Sequence, residues 1–252
     1  MARVAIVTGA TGGIGIKFVE RICLMEDIDE VWAVGRNKDK LNKLCENSAK
    51  IIPVETDLAS GGVDVIADRI ESDKPDIRIL INNAGIGYMG PYEDMGRVKA
   101  AACCTLNCTV PSELISVVLP CMKEGARILN ISSASSFQPN PYLAVYSASK
   151  VYLKNLSRAL SAELKSRGIT VTCVCPGWVD TGMLPKTKGG KEIKYKGLIS
   201  PDLVVDKALR DSSRGKDMSV PGYFSKYFRV YSKITPTSLV MKLWVRAIKD
   251  YI

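Results

Sequence analysis

Histidine is absent from this chain of 252 residues. Its absence excludes Ser-His-Asp triads, metal sites with imidazole ligands and proton shuttles that titrate near neutral pH. Any acid–base chemistry must therefore use Tyr, Lys, Asp, Glu or Cys side chains. Hydrophobic residues make up 46% of the chain and charged residues 24%, which is typical of a globular protein. This composition excludes disordered and collagen-like proteins.

Long hydrophobic runs are absent as well. No stretch reaches the roughly 18 consecutive apolar residues that typify a membrane-spanning helix. The first seven residues contain one basic side chain and lead directly into Thr8-Gly9, without the apolar length or the cleavage site of a signal peptide. We therefore expect no transmembrane segment and a cytoplasmic location.

The eight cysteines include no C-x-x-C pair. Cys173 and Cys175 lie two residues apart in an apolar run, so their side chains share one face of a predicted strand. Small core thiols in a reducing compartment are the expected role, and a two-cysteine site is the alternative. We expect no bound metal.

The formal net charge is +9, and the whole excess lies in the last quarter of the chain. Residues 1–185 carry 20 basic and 20 acidic side chains, whereas residues 186–252 carry 15 basic and 6 acidic ones. No nucleic-acid-binding motif accompanies the basic segment, so we expect no nucleic-acid partner. The excess is either a solvated surface or a functional one.

Short apolar runs alternate with helix-like stretches. The runs are rich in Val, Ile and Leu, as buried parallel strands are, and cover Val4–Val7, Val31–Val34, Ile51–Val54, Ile77–Ile81, Arg127–Ile131 and Ile169–Val174. The helical stretches are Ile14–Met25, Lys38–Cys45, Val63–Ile70 and Ala144–Arg167. This alternation predicts an α/β fold with a Rossmann-type doubly wound parallel sheet.

We predict a single domain over residues 1–252, with a core at 1–182 and an extension at 183–252. In the extension, the five lysines of Lys186–Lys196 with Gly189-Gly190 predict a mobile loop. Pro201–Arg210 predicts a helix that begins after Ser200.

A glycine-rich turn follows the first predicted strand and opens the first predicted helix. Gly9, Gly13 and Gly15 have the spacing G-x-x-x-G-x-G, with Thr11 and Ile14 between them. Such a turn lets the backbone approach a pyrophosphate, and the helix N-terminus stabilises its charge. Its position between strand and helix is the context that this motif requires, and predicts a dinucleotide site.

The end of the second predicted strand indicates which dinucleotide binds. An Asp or Glu there would accept a hydrogen bond from the ribose 2′-hydroxyl of NAD. This chain has no acid at that point and carries Arg36, whose planar guanidinium suits a 2′-phosphate. We therefore expect NADP(H), with Lys38 as a second candidate for the phosphate.

The motifs of residues 4–181 resemble, in order and in spacing, those of classical short-chain dehydrogenases/reductases. The matching residues are Thr8–Gly15, Asp57-Leu58, Asn82-Asn83-Ala84-Gly85, Asn107, Ser132-Ser133, Tyr146-Ser147-Ala148-Ser149-Lys150, Pro176-Gly177 and Thr181. The resemblance covers about 70% of the chain. A hydroxysteroid dehydrogenase-like member is one alternative within the family.

Tyr146 and Lys150 lie at positions i and i+4 of a predicted helix, and therefore one turn apart on one face. A tyrosine pKa is ordinarily about 10, and a nearby ammonium favours the phenolate and lowers that pKa. The resemblance implies that Tyr146 exchanges a proton with the carbonyl or alcohol oxygen and that Lys150 lowers the tyrosine pKa and holds the nicotinamide ribose. It also implies that Ser133 binds the substrate oxygen and that Asn107 holds a water that relays protons to Lys150.

Further contacts to the cofactor follow from the resemblance. It implies that the adenine contacts Asp57 and Leu58, that the adenosine ribose lies along Asn83, Ala84 and Gly85, and that the nicotinamide end meets Pro176, Val179 and Thr181. It also implies a homodimer or homotetramer, paired through helices at about 100–122 and 144–167.

The chain departs from the family pattern at two places. Ser135 and Ser136 stand where many members carry Ala-Gly, which leaves the shape of the substrate loop open. Gly12 stands where some NADP-binding members carry a basic residue, so recognition of the phosphate would depend mainly on Arg36.

Together these features predict an NADP(H)-dependent oxidoreductase that interconverts a secondary alcohol and a ketone. Residues 1–182 would bind the cofactor and catalyse, and residues 183–252 would bind the substrate. The alternatives are a reductase of a small ketone or of a 3-oxoacyl thioester, and a non-catalytic NADP-binding sensor on the same fold.

The substrate prediction depends on the extension, where aromatic residues recur at a helical spacing. They are Tyr223, Phe224, Tyr227, Phe228 and Tyr231. One aromatic helix face with lysines and arginines nearby would suit a bulky, apolar substrate with an anionic end, such as a steroid or bile acid. Two alternatives remain: packing on the sheet or on a second subunit, and contact with an anionic membrane.

Overall fold

We analysed the protein as a computed structural model, which describes residues 1–188 and 190–249. Gly189, part of the predicted mobile loop, lies outside the described residues. The strands in this part of the chain are β1 (Arg3–Thr8), β2 (Glu30–Gly35), β3 (Ile51–Glu55), β4 (Asp76–Asn82), β5 (Arg127–Ile131), β6 (Thr170–Val174), β7 (Thr187–Lys188), β8 (Lys191–Glu192) and β9 (Met218–Ser219). The helices are α1 (Gly13–Cys23), α2 (Lys38–Cys45), α3 (Gly62–Asp73), α4 (Tyr92–Cys104), α5 (Val110–Val118), α6 (Ala144–Glu163), α7 (Pro201–Ser213), α8 (Tyr223–Ile234) and α9 (Thr237–Ile248).

Seven of these strands form one sheet in the order β3-β2-β1-β4-β5-β6-β9. Every neighbouring pair in it is parallel. The order reverses between β1 and β4, and in open α/β sheets ligands bind outside the carboxyl ends of the strands at such a point. The predicted doubly wound parallel sheet is confirmed.

All six predicted strands form, and β9 is an addition that the sequence pattern missed. Two residues are too short to show a periodicity, so only the pairing with Cys173 and Val174 of β6 identifies β9 as a strand. The predicted loop 186–196 also differs, because β7 and β8 form a short antiparallel pair within it.

Helices cover both faces of the sheet and enclose two apolar cores. One core packs α1, α2 and α7 against the sheet through residues such as Phe18, Leu41 and Val205. The other packs α3, α5 and α6 through residues such as Ile66 and Leu114. Strands buried on both faces explain their nearly continuous Val, Ile and Leu runs.

One long helical segment runs from Tyr92 to Cys121. Within the described residues it is the one helix long and apolar enough to cross a membrane by length and composition. Leu114 and Val118 on this segment are buried against the sheet. A turn of π-helix at Thr105–Thr109 joins its two halves, α4 and α5.

The extension is held to the sheet by a buried carboxylate. Asp211 of α7 accepts hydrogen bonds from Lys207 Nζ at 2.6 Å and Lys216 Nζ at 2.8 Å. It also accepts one from Ser219 Oγ of β9 at 2.8 Å. These contacts connect the last turn of α7 to the edge of the sheet, from which the chain continues into α8 and α9.

Candidate active site

A large cleft opens at the carboxyl ends of the central strands, with a cavity volume of about 2330 Å³. Most of the predicted site residues line it, namely Gly9, Thr11, Gly13, Ile14, Arg36, Asp57, Leu58, Asn83, Ala84, Gly85, Ser133, Tyr146, Lys150, Pro176, Val179 and Thr181. Gly15 and Asn107 lie behind its wall. Residues from distant parts of the sequence therefore meet at the point where the strand order reverses.

The glycine turn forms a cradle that no larger residue would fit. Gly9 has a left-handed backbone conformation, with φ +62°. A Cβ on Gly13 would lie 2.6 Å from Thr181 Cγ2, and a Cβ on Gly15 would overlap the carbonyl oxygen of Gly9. No side chain caps the N-terminus of α1, so its backbone N–H groups face the cleft without a capping partner. This arrangement fits a pyrophosphate.

Asn83 braces the glycine turn from the neighbouring strand. Its Nδ2 donates to the carbonyl oxygens of Thr8 at 3.0 Å and Gly9 at 3.2 Å. In return, Thr8 Oγ1 accepts from the backbone N–H groups of Asn83 and Ala84, both at 3.0 Å. The side chain of Asn83 therefore stabilises the shape of the glycine turn. Thr8 is also a positioning residue; the sequence motif includes it but did not indicate this role.

At the adenosine end of the cleft, Arg36 is largely exposed and lies 3.7 Å from the carboxylate of Asp57. Asn37 caps α2 by accepting a hydrogen bond from the N–H of Lys40 at 2.9 Å. Lys40 lines the cleft and Lys38 does not. The structure therefore adds Lys40 as a candidate for the second phosphate ligand, and the prediction of Lys38 stays a prediction.

Tyr146 and Lys150 lie one turn apart on α6 at the bottom of the cleft. Lys150 Nζ lies 5.5 Å from the centre of the Tyr146 ring and donates to the carbonyl oxygen of Ile131 at 2.8 Å. Burial lowers the pKa of Lys150 to about 8. Burial also raises the pKa of Tyr146, although a hydrogen bond with Ser133 opposes that change. The expected net lowering of the Tyr146 pKa is therefore not present in this structure.

Asn107 is fully buried in the π-helical turn between α4 and α5. Its Oδ1 accepts from the N–H of Ile86 at 3.0 Å, and its Nδ2 donates to the carbonyl oxygen of Ile86 at 2.8 Å. Nδ2 also lies 3.0 Å from Ser149 Oγ. The amide is thus used to hold the strand-four loop beside α6, and the water that the resemblance implies stays a prediction. A π-helical turn contains one residue more than an α-helical turn, and such turns are frequent at functional sites.

The serines after β5 form the wall opposite the glycine turn. The Oγ of Ser133 accepts from the N–H of Ser135 at 3.1 Å, which starts a short 3-10 turn. Lys154 donates to the carbonyl oxygen of Ser136 at 2.6 Å. Ser135 lines the cleft, whereas Ser136 is buried beneath it. Ser135, which stands where many family members carry Ala, therefore adds one hydroxyl to the substrate side of the cleft.

The extension supplies the outer wall. The predicted helix around the aromatic residues is α8, and its five aromatic side chains span about 140° of the helix circumference. Phe224, Phe228 and Tyr231 line the cleft, whereas Tyr223 and Tyr227 are exposed to solvent. The boundary between cleft and solvent therefore crosses the aromatic face, and only three of the five residues form part of the cleft wall.

Two tryptophans of the cleft were not found from the sequence. Trp178 follows β6, and Trp244 lies on α9, with ring centres 6.2 Å apart. Trp244 Nε1 donates to the carbonyl oxygen of Pro141 at 2.9 Å, which ties α9 to the loop before α6. The 65 residues between them in sequence give no local signal of this contact.

Three of the cysteines, Cys103, Cys173 and Cys175, are buried, whereas Cys104 is exposed. All eight cysteines are free, and the described residues contain no group of ligands that could hold a metal ion. Cys103 is buried beside the site, with Sγ 3.4 Å from Asn107 Nδ2. Burial raises the pKa of the Cys103 thiol.

Comparison with known proteins relates this site to a family. The profile of the family described as short chain dehydrogenase matches residues 3–192. The human protein named "Inactive hydroxysteroid dehydrogenase-like protein 1" is 37% identical over 191 residues, which are 72% of this chain and 57% of that protein. The "Very-long-chain 3-oxoacyl-CoA reductase" of Anas platyrhynchos is 33% identical over 257 residues, covering 98% of this chain and 80% of the relative. The chain thus spans little more than half of the human relative's length.

Solved structures share the fold. A short chain dehydrogenase from Burkholderia cenocepacia in complex with NADP has a TM-score of 0.78 and 27% identity, covering 96% of this chain and 97% of that one. A short-chain dehydrogenase from Sphingobium yanoikuyae in complex with NADPH has a TM-score of 0.75 and 26% identity, covering 86% of this chain and 87% of that one. A family match over most of the chain, on a sheet and a site of this geometry, shows that the chain belongs to the short-chain dehydrogenase family.

Proposed function

We propose that this protein is an NADP(H)-dependent oxidoreductase that interconverts a ketone and a secondary alcohol on a bulky, apolar substrate. One observation carries the proposal: Tyr146 and Lys150 line a cleft that has the dinucleotide cradle on one side and an aromatic wall of Phe224, Phe228, Tyr231 and Trp244 on the other. A proton donor at the base of a large apolar cleft suits a substrate that buries a wide hydrophobic body around one polar group.

The cofactor side of the cleft fits NADP(H). The glycine cradle and the N-terminus of α1 suit the pyrophosphate. Arg36 and Lys40 both line the cleft, and these two cations would bind the 2′-phosphate. Similar structures from Burkholderia cenocepacia and Sphingobium yanoikuyae are in complex with NADP and NADPH. When bound, NADPH supplies the hydride.

The residues of this chain supply position and the proton. Ser133 and Tyr146, which lie together on the cleft wall, would hold the carbonyl oxygen by hydrogen bonds. The Tyr146 hydroxyl would then donate its proton to that oxygen, and burial favours the protonated phenol that this step requires. Lys150, anchored to Ile131, would hold the ribose hydroxyls and replace the proton through the tyrosine.

A steroid or bile acid is the first candidate substrate, because Phe224, Phe228 and Tyr231 of α8 and Trp244 of α9 give the cleft an aromatic wall. A 3-oxoacyl thioester is the second candidate, and a specific observation favours it. The similarity to the Anas platyrhynchos 3-oxoacyl-CoA reductase extends over 98% of this chain, including the extension that forms the outer wall.

Turnover across a panel of ketones with NADPH tests the proposal. The panel contains 3-ketosteroids, ketosteroid acids with their methyl esters, 3-oxoacyl-CoAs of increasing length, and small ketones. We expect turnover of at least one bulky class and none of the small ketones. A preference for small ketones would contradict the bulky-substrate proposal. A preference for the acid over its methyl ester that fades at high salt would locate a cationic mouth.

A non-catalytic NADP-binding sensor is the opposing class, and the human relative is named as inactive. In this chain Asn107, Ser133, Tyr146 and Lys150 are all present. Ser133, Tyr146 and Lys150 line the cleft, and Asn107 lies behind its wall, with Nδ2 3.0 Å from Ser149 Oγ. If NADPH binds and no member of the panel is reduced or oxidised, the sensor is the better account.

We also propose a homodimer or homotetramer. Cys104 of α4 and Tyr152 of α6 are exposed on the two helical segments that the family resemblance pairs between subunits. Covering these side chains would remove apolar surface from water. Light scattering at micromolar concentration tests this directly, and a monomer mass would contradict it.

A cytoplasmic location is the remaining part of the proposal. The eight free thiols support it, because disulfides form and persist mainly in oxidising compartments. Subcellular fractionation with an antibody against the protein tests it, and recovery from a secreted fraction would contradict it.

A further inference from the structure

The outer face of α8 exposes a continuous row of apolar and aromatic side chains. Tyr223, Tyr227, Val230 and Ile234 lie at positions i, i+4, i+7 and i+11, and so follow one face of the helix. Their exposed fractions are 89%, 64%, 59% and 78%. We call these four residues the outer stripe. A contiguous exposed apolar row of this kind marks an interaction surface more often than chance does.

The next helix extends this surface. Leu239 of α9 is 46% exposed. Leu243, one turn later, is 40% exposed and also lines the cleft. Only Thr235 and Pro236 separate α8 from α9, and we call the two helices together the α8–α9 hairpin. One side of α9 lines the cleft, through residues such as Val240 and Trp244, whereas Leu239 is exposed beside α8 in sequence.

The hairpin is cationic throughout. Residues 223–249 contain six basic side chains, Lys226, Arg229, Lys233, Lys242, Arg246 and Lys249, and no acidic one. Among the described residues, none of the six lies within 4.0 Å of a carboxylate. Helix α7 differs, since Asp202, Asp206 and Asp211 there pair with cations. A molecule that binds this surface must therefore present both apolar groups and negative charge.

Three of these cations surround one depression beside the outer stripe. The depression has a volume of about 290 Å³ and is lined by Val220, Lys226, Arg229, Val230 and Lys233. Apolar walls with cations at the rim suit a group that has an acidic head and a hydrocarbon body. Phospholipids of negative charge have this chemistry.

We propose that the α8–α9 hairpin docks this protein on the surface of anionic lipid membranes. The outer stripe would enter the boundary between headgroups and acyl chains, and Lys226, Arg229 and Lys233 beside it would lie among acidic headgroups. A second copy of the chain fits less well, because a two-fold contact would bring the same cations against one another. Nucleic acid would leave Val230 and Ile234 without an apolar partner.

The hairpin would connect the membrane to the cleft. Phe224, Phe228 and Tyr231 of α8 line the cleft, and the outer stripe follows the adjoining face of the same helix, about 100° around its axis. Docking is a binding property, and its test needs no turnover. It can therefore succeed or fail independently of the proposed function.

Sedimentation with vesicles tests the proposal on the full chain. Vesicles are made of phosphatidylcholine alone or with about one third phosphatidylserine, at about 0.05 and 0.5 M NaCl. We expect affinity for the anionic vesicles to exceed that for neutral ones by about tenfold or more at low salt. We expect this excess to shrink at high salt, because salt screens exposed charges.

Matched variants separate the two components of the surface. Tyr227→Ser with Ile234→Ser shortens the outer stripe, and Lys226→Glu with Lys233→Glu reverses two charges. Controls are Leu24→Ser at the end of α1, where the side chain is 77% exposed, and Lys123→Glu on a distant loop. Both α8 variants should lose at least about tenfold in vesicle affinity, and the controls should not.

Two results would overturn the proposal. One is wild-type protein that does not bind the anionic vesicles at low salt. The other is α8 variants that bind as tightly as the controls. If the α8 variants instead change the mass of the oligomer and leave vesicle binding unaltered, the outer stripe is an interface between copies. Far-ultraviolet circular dichroism of each variant confirms that it is folded.

Discussion

Lys150 Nζ donates a hydrogen bond of 2.8 Å to the carbonyl oxygen of Ile131. This bond joins the face of α6 that carries Tyr146 to the carboxyl end of β5, beside the glycine cradle. It is also the hydrogen bond that a buried ammonium requires, since the side chain of Lys150 is almost fully covered. The position of the proton donor relative to the dinucleotide site therefore depends on a contact between strand and helix.

Replacing Tyr146 with Phe tests the proton donor. The ring and its packing remain while the hydroxyl is lost, so NADPH should bind with unchanged affinity. General acid–base catalysis is typically worth about 10²- to 10⁴-fold, and kcat should fall by that factor. NADPH fluorescence titration measures binding, and steady-state kinetics measures kcat. A Tyr146→Phe enzyme with near-normal kcat would show that another group donates the proton.

The low pKa of Lys150, about 8, predicts a fall of kcat/KM for reduction above pH 8. The ammonium is lost there, whereas the Tyr146 phenol, with its raised pKa, keeps its proton. The free energy of unfolding should instead increase with pH over this range. A lysine has an unfolded pKa of about 10.4, so between about pH 8 and 10 the unfolded chain binds more protons and stability rises with pH. Lys150→Met should remove that rise. A flat rate profile between about pH 7 and 9 would contradict the assignment.

Cofactor choice is predicted to depend on Arg36 and Lys40. Hydrogen bonds to charged groups are worth about 1.5–3 kcal/mol, so Lys40→Ala should raise KM for NADPH by roughly ten- to a hundredfold. Arg36→Asp should repel the 2′-phosphate and raise the ratio of kcat/KM for NADH over NADPH. Lys38→Ala is the matched control, because its side chain does not line the cleft. Wild-type preference for NADH would refute the role of Arg36.

Asp211 is predicted to stabilise the extension. Its partners Lys207 and Lys216 hold the pKa of this carboxylate at about 2 against the opposing effect of burial. Because the folded pKa lies below the ordinary 3.8, the stabilisation is present above about pH 4 and is lost as the pH falls through 2. Asp211→Asn should therefore lower the free energy of unfolding at pH 7 by about 2 kcal/mol, and Tm by roughly 4–8 °C.

Asp217→Asn provides the control for that measurement. Asp217 pairs with Arg158 at 2.8 Å, but both side chains are about half exposed. Exposed pairs contribute about 0–1 kcal/mol, so this variant should unfold close to the wild-type temperature. Equal losses from Asp211→Asn and Asp217→Asn would show that burial of Asp211 contributes nothing.

The sequence alone determined the parallel sheet, the glycine cradle and the pairing of Tyr146 with Lys150. Each depends on local order: continuous apolar runs define strands buried on both faces, and a spacing of four residues places two side chains on one helix face. Helix α2 was found at its observed bounds, Lys38–Cys45, for the same reason.

Only the tertiary structure decided which atoms those residues meet. The pKa of Tyr146 rises because the folded chain buries its side chain. The side-chain amide of Asn107 forms hydrogen bonds with the backbone of Ile86, because the π-helical turn faces the loop after β4. Contacts between distant segments likewise place Trp244 against Trp178 and divide the aromatic residues of α8 between cleft and solvent. Burial and electrostatics depend on everything packed around a group, and a spacing along the chain contains none of that information.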